Sequence, residues 1–221
     1  MSNTKPVLFK ADVSANSVSC IAFNAYSDFK CEEKFVDLMK GESRTKEFMA
    51  MNPMHVCPTL KLSDDVAVWE SNAVLRYMGN STKKGYPADL VQRAKVDMIL
   101  DYRQCGLYPK VSKIAYPLLG FVPTPLGTSE MSKFKGDLET EIKSLAVAFL
   151  KEGKFLGGMA EPTIADFSIV SALEFAKVVK GLSMDSKVSE YLERFYKAVP
   201  NWAKSAAMCQ GYVKMKLGEQ K

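Results

Sequence analysis

Short β-prone runs alternate with helical stretches up to about residue 80, whereas from Asp89 onward every periodic segment is helical. That switch of period restricts the chain to a small mixed sheet joined to an all-helical unit. Residues 6–11 (PVLFKA) open with a strand, and from Asn16 or Ser17 the apolar positions Val18, Ile21, Ala22 and Ala25 recur at helical spacing. Lys34–Leu38 predicts a second strand, and Thr45–Asn52 a second helix with Thr45 as its N-cap. Thr59–Leu62 and Val66–Trp69 are two strands joined by Ser63-Asp64-Asp65, a polar turn short enough for a hairpin. A third helix runs from Ser71 to about Tyr77 or Met78, where Gly79-Asn80 marks the stop.

The order βαβαββα therefore predicts an α/β domain with a mixed four-stranded sheet over residues 1–80, a linker over 81–88 rich in Gly, Pro and Lys, and an all-α domain over 89–221. Helices are expected at Asp89–Tyr102, around Leu107–Leu119, and at Ser129–Leu150, Thr163–Val179 and Ser189–Val199. Thr163 with Asp166 three residues later is a capping-box variant, a structural pair rather than a chemical one. The helix it opens is apolar nearly all round and must lie in the middle of its domain.

Composition excludes several classes of function. The 30 basic residues are interleaved with 25 acidic ones, so the net charge of +5 forms no nucleic-acid arm. No apolar run approaches the roughly 20 residues a spanning helix needs, and MSNTKPVLFK lacks a secretory pattern, so the expectation is a cytoplasmic protein without membrane contact. Cys20, Cys31, Cys57, Cys105 and Cys209 are odd in number and never spaced C-x-x-C, and they read as free thiols with no metal bound. His55 is the one histidine, which excludes a multi-histidine metal site.

Three segments carry residue types that make chemical sense together. In Asn52-Pro53-Met54-His55-Val56-Cys57-Pro58-Thr59-Leu60 a proline opens a strand. If the Cys57–Pro58 bond is cis, the N–H and C=O of Cys57 face outward as a free edge able to pair with a peptide-like ligand. In Trp69-Glu70-Ser71-Asn72-Ala73 an acid and a hydroxyl meet a helix N-terminus: an α-carboxylate fits the N–H and hydroxyl of Ser71, and Glu70 takes the ammonium beside it. In Ser14-Ala15-Asn16-Ser17 a hydroxyl at a helix start donates to an anion with the helix dipole behind it. Lowering a thiol pKa by two units takes about 2.7 kcal/mol, within reach of one charge-assisted hydrogen bond plus a helix end. Ser17 competes for that role, although it better suits the helix cap.

These segments, in this order, resemble the soluble glutathione transferases, and the similarity covers nearly the whole chain. KGESRTKEFMAMNPMHVCPTLKLSDDVAVWESNAVLRYM resembles the delta and theta classes especially closely, while YPADLVQRAKVDMILDY and TIADFSIVSAL resemble their helical-domain landmarks. The resemblance implies a thioredoxin-like N-terminal domain, glutathione as co-substrate, hydrophobic electrophiles as partners, and a homodimer. It assigns Ser14 to the glutathione thiolate, the Cys57 backbone before Pro58 to the cysteinyl unit, Glu70 and Ser71 to the γ-glutamyl end, and His55 to the glycine carboxylate. Val56 and Asn72 complete the expected glutathione contacts, and Tyr108, Tyr116 and Phe121 are candidates for the electrophile pocket. Val18 stands where delta and theta enzymes usually carry an arginine, and S-x-N leans toward the plant phi class.

The function implied is conjugation of glutathione to electrophiles, with peroxide reduction as a companion activity. Two rivals share the fold. A non-catalytic ligand-binding or scaffold protein would not need the set Ser14, His55, Pro58, Glu70 and Ser71; a glutathione-dependent isomerase would carry S-S-x-x-x-x-R near the first helix, which is absent.

Overall fold

The structure is a computed structural model that describes residues 5–150 and 154–220. Its four strands, β1 (Val7–Lys10), β2 (Glu32–Phe35), β3 (Thr59–Lys61) and β4 (Ala67–Trp69), lie in the order β2-β1-β3-β4. β1 runs parallel to β2 and antiparallel to β3, which pairs antiparallel with β4. The thioredoxin-like mixed sheet is thus present.

Alternation splits the sheet's two faces. Leu8 and Leu60 are fully buried against α1 (Ala15–Ser27) and α3 (Ser71–Thr82), while Phe9 packs edge-on against Phe48 of α2 (Lys46–Met51), beside Ala11, Val36 and Cys57. β2 begins two residues earlier than expected and is exposed throughout, because an edge strand in water needs no apolar pattern to mark it. Val36, expected within the strand, instead seals the small core under α2.

α1 starts at Ala15, so Ser14 and not Ser17 holds the N-cap position. α3 does not stop at Gly79-Asn80 but continues to Thr82 and ends on Lys83, a left-handed residue (φ 54°). Gly79 serves close approach instead: a Cβ there would lie 2.7 Å from Tyr86 Cβ in the segment leading to the next helix.

The helical region comprises α4 (Leu90–Tyr102), a π-helical turn (Arg103–Leu107), α5 (Tyr108–Leu119), α6 (Thr128–Phe149), α7 (Ile164–Ala176), α8 (Ser186–Ala198) and α9 (Trp202–Gly218). Every residue of α7 is buried, as its apolar circumference requires. Phe167 of α7 meets Phe23 of α1 with ring centroids 5.1 Å apart, so the two regions share one core. Each such fully buried aromatic contributes about 1.5–3 kcal/mol relative to exposure.

α7 is locked at its start. Asp166 Oδ2 accepts from the N–H and the hydroxyl of Thr163 (2.7 and 2.8 Å), and Oδ1 from the Leu156 N–H (3.1 Å) and the Tyr191 hydroxyl (2.9 Å). Burial pushes this carboxyl up to about 6, against the four donors that pull it down. No helix among the described residues is long and apolar enough to cross a membrane.

Candidate active site

The register row Phe9–Thr59–Trp69 fixes which loops meet. β1 and β3 are antiparallel, and so are β3 and β4, so the C-terminal ends of β1 and β4 lie beside the N-terminal start of β3. Ser14 follows β1, Cys57-Pro58 precedes β3, and Glu70-Ser71 follows β4, so all three segments emerge at one end of the sheet. Two contacts tie them: Ala11 and Cys57 share the core under α2, and the Cys20 thiol of α1 lies 3.6 Å from the Ser71 carbonyl.

At α1 the Ser14 N–H donates to the Ala11 carbonyl (2.9 Å) and the Ser14 carbonyl accepts from Val18, but the hydroxyl makes no capping bond. The helix N-terminus therefore keeps its dipole and a free hydroxyl side by side. Ser17 is fully buried and its oxygen accepts the Ala11 N–H at 3.1 Å, so it braces the β1–α1 turn; the expectation that it caps the helix is corrected.

The Cys57–Pro58 bond is cis, and neither the N–H nor the C=O of Cys57 has a partner among the described residues. Its thiol faces the core under α2 and is pushed up to about 12 by burial, so the side chain is inert while the backbone edge is free. The loop is shaped by Asn52, fully buried: Nδ2 donates to the Val56 carbonyl (3.1 Å) and to Thr59 Oγ1 (2.8 Å), and Oδ1 accepts the Met54 N–H (3.0 Å). Val56, exposed at its side chain, thus spends its carbonyl on the loop. His55 is left-handed (φ 45°), and its Nε2 stands 3.5 Å from Nη1 of Arg44.

Glu70 occupies the N-cap of α3 at φ 66°, ψ 115°, and forms no ion pair among the described residues; the Ser71 hydroxyl is likewise unbonded. Left-handed backbone on non-glycine residues is costly and gathers at functional sites, and His55 and Glu70 both show it. Asn72 departs from expectation. Its Nδ2 donates to the Leu100 carbonyl (2.9 Å) and its Oδ1 accepts from the Ser168 hydroxyl (2.7 Å), so it turns away from the sheet end and ties α3 to α4 and α7.

In the helical region the Tyr108 and Tyr116 hydroxyls lie 3.1 Å apart, Phe121 sits 5.7 Å from the Tyr116 ring, and Tyr212 stacks on Phe121 at 5.8 Å. Burial raises the Tyr108 phenol well above its ordinary value. Sequence reasoning missed Arg103, which joins this aromatic group to α1: its guanidinium lies 3.8 Å over the Tyr108 ring and donates to the side chain of Asn16, two residues after Ser14. The signal was available in the spacing, since Ile99, Arg103 and Leu107 place a charge on a buried helical stripe. Among the described residues no cluster of His, Cys, Asp or Glu could hold a metal ion.

Comparisons with known proteins bear on the family and the fold. The family model for the glutathione S-transferase N-terminal domain matches residues 7–80. Glutathione S-transferase 2 of Anopheles gambiae is 32% identical over 151 residues, covering 66% of this chain and 68% of that protein. Glutathione S-transferase T2 of Arabidopsis thaliana is 28% identical over 202 residues and 84% of this chain, which spans about a third (34%) of that relative's length. An epsilon-class glutathione S-transferase from the housefly Musca domestica superposes with a TM-score of 0.83 at 26% identity, covering 98% of this chain and 99% of that one. A sheet end that offers a free peptide edge and an uncapped helix start, and an insect relative matched over two thirds of its length, lead to one conclusion: the chain belongs to the glutathione S-transferase family.

Proposed function

We propose that this chain activates the thiol of glutathione and conjugates it to hydrophobic electrophiles, with Ser14 as the activating residue. The γ-glutamyl carboxylate docks on the N–H and hydroxyl of Ser71 at the start of α3, and Glu70 takes its ammonium. The cysteinyl unit pairs with the free N–H and C=O of Cys57, and His55, next to Arg44, meets the glycine carboxylate. The sulfur then lies at the start of α1, where the Ser14 hydroxyl donates to the thiolate and the helix dipole favours the negative charge. The thiolate attacks the electrophilic centre, the leaving group departs with the displaced electron pair, and Tyr108, Tyr116 and Phe121 supply the aromatic wall. The same thiolate attacks the oxygen of an organic peroxide: the O–O bond breaks, the alcohol leaves after taking a proton, and a second glutathione attacks the resulting sulfenic acid to give the disulfide and water.

The observation that carries this reading is the Ser14 hydroxyl: it stands at a helix N-terminus without capping that helix. A helix cap would have been the bland role for this serine, and it does not play it. Ser14→Ala retains glutathione binding and lowers turnover by one or more orders of magnitude, while the absorbance of the bound thiolate titrates at higher pH. Equal turnover in the two proteins overturns Ser14 as activator.

A cytoplasmic homodimer belongs to the same reading. Leu90 (78% exposed), Val91 and Met98 on α4 and Tyr77 on α3 present apolar side chains to water, a face suited to a second copy. Sedimentation at micromolar concentration tests it; a mass of one chain rejects the dimer.

A further inference from the structure

Arg103 is 1% exposed, yet no carboxylate among the described residues reaches it; the arginines in ion pairs are Arg76 and Arg194. Its Nη1 donates to Gln104 Oε1 (2.9 Å), its Nη2 donates to the Asn16 amide oxygen, and its Nε is buried with no partner among the described residues. A guanidinium remains charged under ordinary conditions, and a buried charge is costly unless an anion compensates it.

The groups around it do not supply that anion. From α5, Tyr108 and Tyr116 face it, and from α1, Cys20 does; burial raises both Tyr108 and Cys20, and a phenol or thiol in such surroundings stays neutral. From α6, Glu141 faces the same π-helical turn at Gly106 but is already paired with Lys110. From α4, Asp97 and Asp101 are held by Arg76, and from α7, Glu174 is held by Lys177. Glu70, ahead of α3, acts on it from a distance and is exposed. The π-helical turn that carries Arg103 is itself a distortion of the kind found at functional sites.

We propose that the missing counter-charge is the sulfur of bound glutathione, and that Arg103, held against the first turn of α1 by Asn16, keeps that sulfur as a thiolate through space. The inference rests on the glutathione reading above and deepens it. Of the ligand's anionic groups, the two carboxylates are taken at Ser71 and near His55, which leaves the sulfur at Ser14 as the charge closest to Asn16. On binding, the S–H bond breaks heterolytically, the electron pair stays on sulfur and the proton passes to water. Arg103 touches no reacting atom and is a positioning residue, acting through its field. A unit charge about 10 Å away through an effective dielectric of about 20 moves a titration by about one unit.

The test follows the thiolate absorbance of bound glutathione against pH in the wild type, Arg103→Gln, Arg103→Lys and Asn16→Asp. Asn16→Asp supplies the absent carboxylate from inside the fold, so it neutralises the field without emptying the site. The expected result is a titration about one unit higher in Arg103→Gln and Asn16→Asp, hence about tenfold less thiolate below the wild-type midpoint. Arg103→Lys keeps the charge and stays near the wild type, and Asn16→Asp melts at higher temperature. If Arg103→Gln does not fold, Asn16→Asp alone decides. A more stable Asn16→Asp protein whose bound glutathione titrates as in the wild type makes Arg103 purely structural and overturns the proposal. A wild type that shows no thiolate band and no retention on immobilised glutathione overturns the glutathione reading and this inference with it.

Discussion

Asn52 donates through Nδ2 to Thr59 Oγ1 at 2.8 Å, entirely out of contact with solvent, and so closes the loop that carries His55 and Cys57 onto the strand it precedes. Thr59 in turn donates to the Val56 carbonyl at 2.8 Å, which also accepts from Asn52. The loop's shape therefore depends on an amide that is itself fully buried.

Asn52→Ala removes one of the two donors to the Val56 carbonyl, the donor to Thr59 Oγ1 and the acceptor for the Met54 N–H. A loss of about 2 kcal/mol is expected. Because the edge at Cys57 moves with the loop, KM for glutathione rises while kcat at saturation changes little. Urea unfolding and initial rates read both quantities, and a stable variant with unaltered KM would contradict the role given to Asn52.

Asn72 gives the opposite pattern. Its amide bridges α3 to Leu100 and Ser168, so Asn72→Ala weakens the fold by about 1–2 kcal/mol and leaves KM for glutathione within about twofold of the wild type. A large rise in KM without loss of stability would restore Asn72 to the ligand's surroundings.

Asp166 makes stability depend on pH. Burial lifts its carboxyl from 3.8 to about 6, so the folded chain holds a proton that the unfolded chain has released. Its contribution is fully present below the unfolded value near 3.8 and is lost as pH rises through about 6, a change of about 3 kcal/mol. Asp166→Asn does not titrate, so the stability difference between the two proteins shifts by that order between pH 4 and 7 in urea unfolding. A constant difference would show that the buried carboxyl keeps its ordinary value.

The thiols divide sharply. Cys20, Cys31, Cys57 and Cys209 are buried and each is pushed up to about 12, whereas Cys105 in the π-helical turn is exposed. Of the five cysteines, a chromogenic disulfide reagent is expected to modify one rapidly in the native protein and four only after denaturation. Cys105→Ser abolishes the fast phase; its survival would place the reactive thiol elsewhere.

The elements with strong signals stood out in the sequence for physical reasons. The all-apolar stretch after Thr163 has one place to go, and α7 occupies it; a proline at the head of a strand and a hydroxyl at a helix start marked the segments that meet at the sheet end. What escaped was set by tertiary contacts. β2 is an exposed edge with polar residues on both faces, so its limits left no periodic trace. Gly79 looks like a helix stop, but it is there to let Tyr86 pass, and no local pattern reveals a neighbour seven residues on. α9 went unpredicted because its buried positions, Trp202, Ala206, Cys209 and Val213, are mostly small and blend with the surface. Ser17 and Asn72 carry side chains suited to ligands, and only the fold shows that the Ala11 N–H, Leu100 and Ser168 claim them first.

α1 is wrapped on nearly every side: Leu8 and Leu60 lie beneath it in the sheet, Phe167 meets Phe23, and Asn201 ahead of α9 donates to the Ala22 carbonyl at 3.0 Å. A helix enclosed by both halves of a polypeptide belongs to neither. Severing the connection near Lys83 would strip one fragment of its lid and hand the other an open cavity, so the molecule is expected to lose its structure in a single cooperative step instead of half by half.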